Sequence, residues 1–228
     1  MGVHDGHRDR LRESFDKYGL ESFSDINALE LLLFYAVPRR DTNPIAHELL
    51  DRFGSLDAVF SASERELTEV PGVGKYAASL IRLVPEILKK SQVSKASMAT
   101  YIRSTSDAGK YLLPRFMNEK DEVLWMLCLD SKGEVICCLQ MGHGTVNAVE
   151  TNIRRIVETA LKHKATRVVI AHNHPNGIAL PSKEDEYFTK KLFDAFRILN
   201  IKLEDHIIVA GNDYVSLADS GAISLCRY

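Results

Sequence analysis

A short β-branched run at residues 167–171 (Arg-Val-Val-Ile-Ala) constrains the fold of this chain more than any other segment. Because polar and apolar residues do not alternate in it, the run is typical of a strand that is buried on both faces of its sheet. Such a strand requires a covering layer on each side. Residues 148–163 before it and residues 182–198 after it have the apolar spacing of helices. This alternation of helix and strand predicts a layered α/β domain.

Further strands and one more helix are predicted around this segment. Residues 123–129 and 135–139 are two apolar runs joined by a Ser-Lys-Gly turn, which indicates a β-hairpin. The other predicted elements of this half are a helix at residues 107–116 and short strands at residues 207–209 and 214–217.

The first 90 residues have a different pattern. Their apolar positions recur every three or four residues without β-branched alternation, which predicts short helices throughout. One helix is expected to open with the capping-box pattern of Asn27 and Glu30. Another is expected to open with Asn43 as its cap, followed by Pro44 at the first helical position.

The boundary between the two halves is predicted at residues 91–100, which are rich in Ser, Ala and Lys and read as a linker. The chain of 228 residues is long enough for two small domains. We therefore expect an α+β protein of two domains, with an all-α domain at residues 1–95 and an α/β domain at residues 101–228.

One turn in the helical half resembles the helix-hairpin-helix motif. Residues 70–75 (Val-Pro-Gly-Val-Gly-Lys) join two helical patterns, and Gly72 and Gly74 would let another backbone approach closely. The amides after the turn, beginning at Lys75, would be open to an anion. Residues 71–95 carry five basic side chains against one acidic side chain. The motif implies sequence-independent contact with DNA phosphates, whereas the alternative is a hairpin that needs glycine for packing alone.

Composition limits the classes of function. The formal net charge is −2, so any affinity for nucleic acid has to come from a local basic patch, and a histone-like role is excluded. The apolar runs are too short to cross a bilayer, and we expect a folded, soluble, cytoplasmic protein. The four cysteines form no C-x-x-C pair and are expected to be reduced, buried thiols; they are Cys128, Cys137, Cys138 and Cys226.

The segment after the central strand has the residues of a metal site. His172 and His174 stand two positions apart at the strand end, so both imidazoles are expected on one face. A Pro/Gly-rich loop then leads to a helix start that carries Asp185. Two imidazoles and one carboxylate are a typical set of three zinc ligands, which leaves a fourth position open for catalysis.

A purely structural interpretation explains part of this pattern. Ser182 and Asp185 have the spacing of a capping box, which would account for both of them without any metal. It would not account for two histidines on one face, and the metal interpretation is therefore preferred.

The spacing H-x-H-x(7)-S-x(2)-D, from His172 to Asp185, is similar to the signature of the JAMM/MPN+ metalloproteases. With the surrounding His-Asn-His-Pro and the later residues 205–209 (Asp-His-Ile-Ile-Val), the chain resembles the bacterial RadC family, also called UPF0758, from about residue 9 to residue 223. One departure is visible at residues 151–154, where Thr-Asn-Ile-Arg stands near the place of the usual Pro-Arg-Glu-[Val/Ile]. It puts local loop contacts in doubt, not the metal ligands.

The resemblance implies a helix-hairpin-helix region joined to a JAMM-like domain, layered like cytidine deaminases, and a zinc-dependent peptidase. It implies Glu122 as the general base that activates water, with Glu119 and Glu134 left open as rivals. Ser182 is expected to donate a hydrogen bond to the oxyanion. His206 is the one further histidine that we would test as a group supporting a ligand.

Other classes of enzyme fit less well. Zinc deaminases need H-x-E with P-C-x-x-C, which the chain lacks, and a barrel hydrolase needs more residues than follow the linker. A two-metal nuclease needs further carboxylates near the site. The main alternative is a DNA-associated, repair-linked binding protein with a structural or idle metal site. The expected substrate is a protein or peptide, selected by loops at residues 142–150 and 176–180.

Overall fold

The computed structural model describes residues 5–144, 149–175 and 177–221. The chain divides into two compact units, Met1–Leu88 and Lys89–Tyr228, and each contains buried apolar clusters. The division falls shortly before the linker predicted at residues 91–100.

The first unit is helical throughout its described residues. Its largest cluster is built from leucines such as Leu29, Leu33, Leu49 and Leu67, all of which are almost fully buried. The last helix, α6, continues into the second unit, so the first part of the predicted linker is helical. The helices are α1 (Asp5–Tyr18), α2 (Asp25–Leu33), α3 (Asn43–Phe53), α4 (Leu56–Ser61), α5 (Glu64–Thr68) and α6 (Lys75–Ala96).

The predicted caps of α2 and α3 are wrong. Ser24 caps α2, and its Oγ accepts a hydrogen bond from the Asn27 amide at 3.2 Å. Glu30 is buried instead of capping, and its carboxylate accepts a hydrogen bond from the Asn43 side chain at 3.0 Å. Thr42 takes the N-cap position of α3. Glu30 and Asn43, one from each apparent cap, therefore form a contact between α2 and α3, which local sequence does not reveal.

The second unit is a mixed α/β domain, which confirms the predicted layering. After α6 its elements are α7 (Thr105–Leu112), a 3₁₀ helix (Leu113–Phe116), β1 (Val123–Leu129), β2 (Val135–His143), α8 (Val149–Lys162), β3 (Arg167–Asn173), α9 (Lys183–Ile198), β4 (Lys202–Ala210) and β5 (Asp213–Ser216).

The five strands form one sheet in the order β2-β1-β3-β4-β5. Neighbouring strands are antiparallel except for β3 and β4, which are parallel and are connected through α9. β3 is therefore the central strand. Val168 and Ile170 face a cluster that includes residues of α8 and α9, whereas Val169 and Ala171 face a cluster that includes residues of α7.

The strand β4 begins five residues earlier than predicted. The prediction missed this part because Glu204, Asp205 and His206 are polar and interrupt the apolar pattern of a buried strand. Asp205 and His206 are nevertheless buried. Asp205 accepts hydrogen bonds from the Ser216 hydroxyl at 2.6 Å and from the Ala218 amide at 3.1 Å. These partners satisfy the buried carboxylate within the sheet.

Composition led to two expectations, one on the cysteines and one on membrane spans. Cys128 is buried, Cys137 and Cys138 are partly buried, and all three are free thiols; Cys226 lies outside the described residues. Within the described ranges, the helices are too short or too polar to span a bilayer.

Candidate metal centre

The centre lies where the central strand β3 ends beside the beginning of α9. His172 is the second-last residue of β3, and His174 follows the strand directly. The His174 amide donates a hydrogen bond of 2.8 Å to the Val209 carbonyl of β4, which continues the strand pairing past β3. Asp185 lies in the first turn of α9. Ligand atoms of these three residues lie within 4.8 Å of one another, so the structure brings the predicted ligands together.

The three side chains face each other at short range. His172 Nε2 lies 3.0 Å from both His174 Nε2 and Asp185 Oδ1. His174 Nε2 lies 3.4 Å from Asp185 Oδ2. His172 and Asp185 are buried, and His174 is half-buried, so the group is open to solvent on one side only.

The loop after His174 orients its imidazole. His174 Nδ1 lies 3.2 Å from the Ile178 carbonyl oxygen, and the Gly177 amide donates to the His174 carbonyl at 3.2 Å. Because a carbonyl can only accept, Nδ1 carries a ring proton, and Nε2 is the nitrogen left to face the Asp185 carboxylate. Imidazole nitrogens and carboxylate oxygens are common ligands of zinc. The donor set therefore fits a metal ion.

Asp185 is held in place by the start of its own helix. The Ser182 amide and hydroxyl both donate to Asp185 Oδ2, at 2.8 and 2.6 Å, and the Asp185 amide donates back to Ser182 Oγ at 3.1 Å. Burial alone would raise the pKa of the Asp185 carboxyl, but contacts with His172 and Ser182 outweigh burial and hold that pKa well below its usual range. One carboxylate is thus both the capping-box partner of Ser182 and a candidate metal ligand.

This arrangement affects the role expected for Ser182. The single hydroxyl proton of Ser182 is directed at Asp185 Oδ2. Donation to an oxyanion would require the hydroxyl to leave this carboxylate. The contacts seen here are those of a group that orients a metal ligand.

Glu122 lies one residue before β1 and lines the same small cleft as His172 and Asp185. Its carbonyl accepts a hydrogen bond from the Gly144 amide at 2.8 Å. The remainder of the cleft is mainly apolar and is formed by Val123, Leu124, Gly142, Gly144 and Phe188.

A buried amide side chain fixes the backbone on both sides of Glu122. Asn173 Oδ1 accepts from the Val123 amide at 2.8 Å, and Asn173 Nδ2 donates to the Asp121 carbonyl at 3.0 Å. Asn173 stands between the two histidines in sequence. Sequence analysis missed Asn173 because the H-x-H pattern places no requirement on the residue between the two histidines.

The rival glutamates lie elsewhere. Glu119 forms an ion pair with Lys89 and lines a second cleft, which His174 also lines but His172 and Asp185 do not. Glu134 pairs with Tyr101 beyond the far end of β1, and a seven-residue strand separates the two ends by about 20 Å. Glu122 is the predicted base that shares a cleft with both His172 and Asp185.

His206 contacts His172, one of the predicted ligands. The sequence had marked His206 as a residue that could support a ligand. His206 Nε2 lies 2.7 Å from His172 Nδ1. Complete burial, together with the neighbouring His172, holds the pKa of His206 well below its usual value. His206 also contacts Thr189, which sequence analysis did not consider, although Thr189 lies one helical turn after Asp185.

The three residues of the predicted DNA contact lie in and after the turn before α6. Gly72 has φ +90°, and a Cβ there would come within 2.9 Å of the Ile45 side chain. Gly74 has no such constraint, since a Cβ there would meet nothing within 4 Å. Lys75 is exposed at the first position of α6. Packing therefore explains Gly72 and leaves Gly74 unexplained.

Comparison with known proteins agrees with the motifs of the second unit. Residues 102–222 match the family model of the RadC-like JAB domain. A UPF0758 protein of Fusobacterium nucleatum is 34% identical over 225 residues, which cover 96% of this chain and 97% of that protein.

Proposed function

Since this chain belongs to the RadC family, as its motifs predicted, we propose that it is a zinc-dependent hydrolase of the JAMM type. One observation carries the proposal: His172, His174 and Asp185 lie together, and Glu122 lines the same cleft as two of them, His172 and Asp185. A metal site beside a carboxylate that is not itself in the ligand group is the arrangement of a hydrolytic centre.

Zinc is the cation that suits the donor set best. Two imidazoles and one carboxylate supply three ligands, and a three-ligand zinc site keeps a position open for substrate or water. When bound, the ion would act as a Lewis acid on a carbonyl and would acidify a coordinated water. Every other task falls to the side chains of the chain itself.

The proposed reaction is the hydrolysis of a peptide or isopeptide bond. Glu122 accepts a proton while water adds to the carbonyl carbon, and it returns that proton to the amine as the C–N bond breaks. The products are a carboxylic acid and an amine. Proton transfer of this kind contributes about 10²–10⁴-fold to the rate. The apolar wall at Val123, Leu124 and Phe188 keeps bulk water away from the reacting groups.

An amide substrate is preferred to a phosphodiester because the site offers ligands for one cation. Phosphodiester hydrolysis commonly uses a second cation about 4 Å from the first, which needs its own carboxylate ligands. Among the residues that the structure describes, the metal-binding group consists of His172, His174 and Asp185. Residues 145–148 and 176, within the loops expected to select substrate, lie outside the described part of the chain.

The test is a search for new peptide termini. Zinc-loaded full-length protein is incubated with a proteome digest, and mass spectrometry identifies cleaved bonds. We expect cleavage by the parent and by Glu119→Gln, a matched control in the neighbouring cleft, and at least 10²-fold less cleavage by Glu122→Gln. Equal cleavage by Glu122→Gln would contradict the proposal, and so would metal-dependent cleavage of DNA that Glu122→Gln abolishes.

Contact with the DNA backbone is a second candidate function, in addition to hydrolysis or in place of it. The observation that favours it is Gly74, where the fold leaves room for a Cβ but the sequence has none. Close approach of a phosphate backbone to the start of α6 would explain the glycine. Salt-dependent binding of a Gly74 variant tests this function.

A further inference from the structure

A chain of buried hydrogen bonds connects two of the candidate metal ligands through residues that bind no metal themselves. Thr189 Oγ1 lies 2.6 Å from the Asp185 carbonyl oxygen and 2.5 Å from His206 Nδ1. His206 Nε2 lies 2.7 Å from His172 Nδ1. Thr189 and His206 are completely buried and His172 nearly so, which separates the chain from bulk water.

The fold places these groups without any adjustable loop. Thr189 lies four residues after Asp185 on α9, so the two residues are on the same face of the helix. His206 belongs to β4, the parallel neighbour of β3, where it pairs with Ile170. The chain therefore joins the helix that carries one ligand to the strand that carries another.

The position of every proton in the chain follows from its first member. The Asp185 carbonyl can only accept, so Thr189 donates its one hydroxyl proton to it. Thr189 Oγ1 must then accept from His206, which places the ring proton of His206 on Nδ1. His206 Nε2 is left as an acceptor and receives the Nδ1 proton of His172.

This order determines which nitrogen of His172 can bind a cation. With a proton held on Nδ1, His172 has Nε2 as the ring nitrogen through which it can bind a cation. That atom lies 3.0 Å from Asp185 Oδ1 and from His174 Nε2. Nε2 thus faces the position at which the three candidate ligands converge.

From this geometry we propose that Thr189 and His206 are positioning residues that hold His172 in its metal-binding tautomer. The inference rests on the metal site of the proposed function and adds a device that prepares it. Without the Thr189 hydroxyl, a proton on His206 Nδ1 would be buried without a partner, which is costly. The His206 proton would move to Nε2 and force the His172 proton onto its own Nε2, where it blocks the metal.

The experiment compares Thr189→Val with Thr189→Ser in the full-length protein. Valine keeps the shape and removes the hydroxyl, whereas serine keeps the hydroxyl and removes a methyl group. We expect zinc affinity, measured by competition with a chromogenic chelator, to fall about 10–100-fold in Thr189→Val. Thr189→Ser should bind zinc like the parent, and Thr189→Ala replaces Thr189→Val if valine prevents folding.

A second measurement does not depend on zinc or on activity. Long-range ¹H–¹⁵N spectra of the metal-free protein show which imidazole nitrogen carries the proton. His172 should carry a proton on Nδ1 in the parent and in Thr189→Ser, and should lack it in Thr189→Val.

The two proposals can fail separately. If the parent protein does not bind zinc, the proposed function is contradicted. The NMR measurement of the His172 tautomer would still test the role of Thr189. Full zinc affinity in a folded Thr189→Val, with His172 still protonated on Nδ1, would overturn the inference.

Discussion

Asn173 and Val123 are joined by a buried hydrogen bond of 2.8 Å from the Val123 amide to Asn173 Oδ1. The same side chain donates to the Asp121 carbonyl, so one amide group holds the backbone on both sides of Glu122. The residue between the two candidate histidine ligands therefore fixes the start of β1 and, through it, the position of the candidate base.

Replacing Asn173 with alanine should reduce turnover and leave zinc binding in place. The change frees the backbone around Glu122, and a misplacement of about 1 Å can cost about 10²-fold in rate. It also leaves the buried Val123 amide without its acceptor, which should lower the free energy of unfolding by about 1–3 kcal/mol. Turnover, zinc content and chemical denaturation measure these effects.

The control for this prediction is Asn212→Ala, which removes an exposed asparagine from the turn between β4 and β5. It should change neither turnover nor stability. Parent-like turnover in Asn173→Ala would show that Glu122 does not depend on this amide.

The part of the centre that sequence could predict is the part built from local patterns. The two-residue period of a strand placed His172 and His174 on one face, and helix-capping spacing located Ser182 and Asp185. The hydrogen bonds of Asn173 and His206 could not be read in this way. They join residues that are 50 and 34 positions apart in sequence, and only the pairing of β1, β3 and β4 brings them together.

The same limit explains errors in the fold. Glu30 has the position of a capping-box partner, yet it is buried among residues of other helices. Asp205 and His206 interrupt an apolar pattern, so the early part of β4 was missed. Buried polar residues with tertiary partners look like surface residues to any rule that uses polarity alone.

Ser182→Ala should weaken zinc binding as well as the helix. Loss of the cap should cost about 0.5–2 kcal/mol of stability. Loss of the hydroxyl contact to Asp185 Oδ2, with the contact from the Ser182 amide retained, should reduce zinc affinity about 10–100-fold. Calorimetry and chelator competition measure the two effects.

The matched control is Ser63→Ala, since Ser63 and Glu66 form a capping box on α5, in the first unit. It should lose stability by a similar amount and keep its zinc affinity. If Ser182→Ala keeps full zinc affinity and loses only turnover, Ser182 acts on the oxyanion instead of on Asp185.

Because of Asp205, the free energy of unfolding should fall as pH rises. A carboxylate in an ion pair has the opposite effect. Burial raises the pKa of Asp205 from 3.8 to about 6, although hydrogen bonds from Ser216, Ala218 and His206 oppose the increase. The folded protein therefore binds this proton more tightly than the unfolded chain. The stabilisation is complete below pH 4 and is lost as pH rises through 6, for a total of about 3 kcal/mol.

Asp205→Asn should remove this dependence. Relative to the parent, the variant should gain stability between pH 4 and pH 7, as measured by urea denaturation at each pH. If the difference in the free energy of unfolding between the two proteins stays constant over this range, Asp205 has the same pKa in the folded protein as in the unfolded chain.

Gly74→Leu should reduce DNA binding and cost at most about 1 kcal/mol of stability as a poorer helix N-cap, because a Cβ there meets nothing within 4 Å and the side chain would obstruct a phosphate backbone. The parent should bind duplex DNA weakly, with affinity that falls steeply as salt rises. Fluorescence anisotropy at several salt concentrations measures both proteins.

Gly72→Ala provides the contrast at the same turn. Its positive φ and the nearby Ile45 side chain should make it destabilising. If Gly74→Leu and the parent bind DNA equally, or if the parent binds none at low salt, the turn is a packing element.

The zinc content of purified full-length protein tests the central claim most directly. Elemental analysis should find about one zinc per chain in the parent and in Glu122→Gln, since Glu122 is proposed as a base and not as a ligand. His172→Ala/His174→Ala should hold no stoichiometric zinc while remaining folded. A parent without zinc after growth in zinc-replete medium, or a double variant that keeps its full zinc content, would contradict the account.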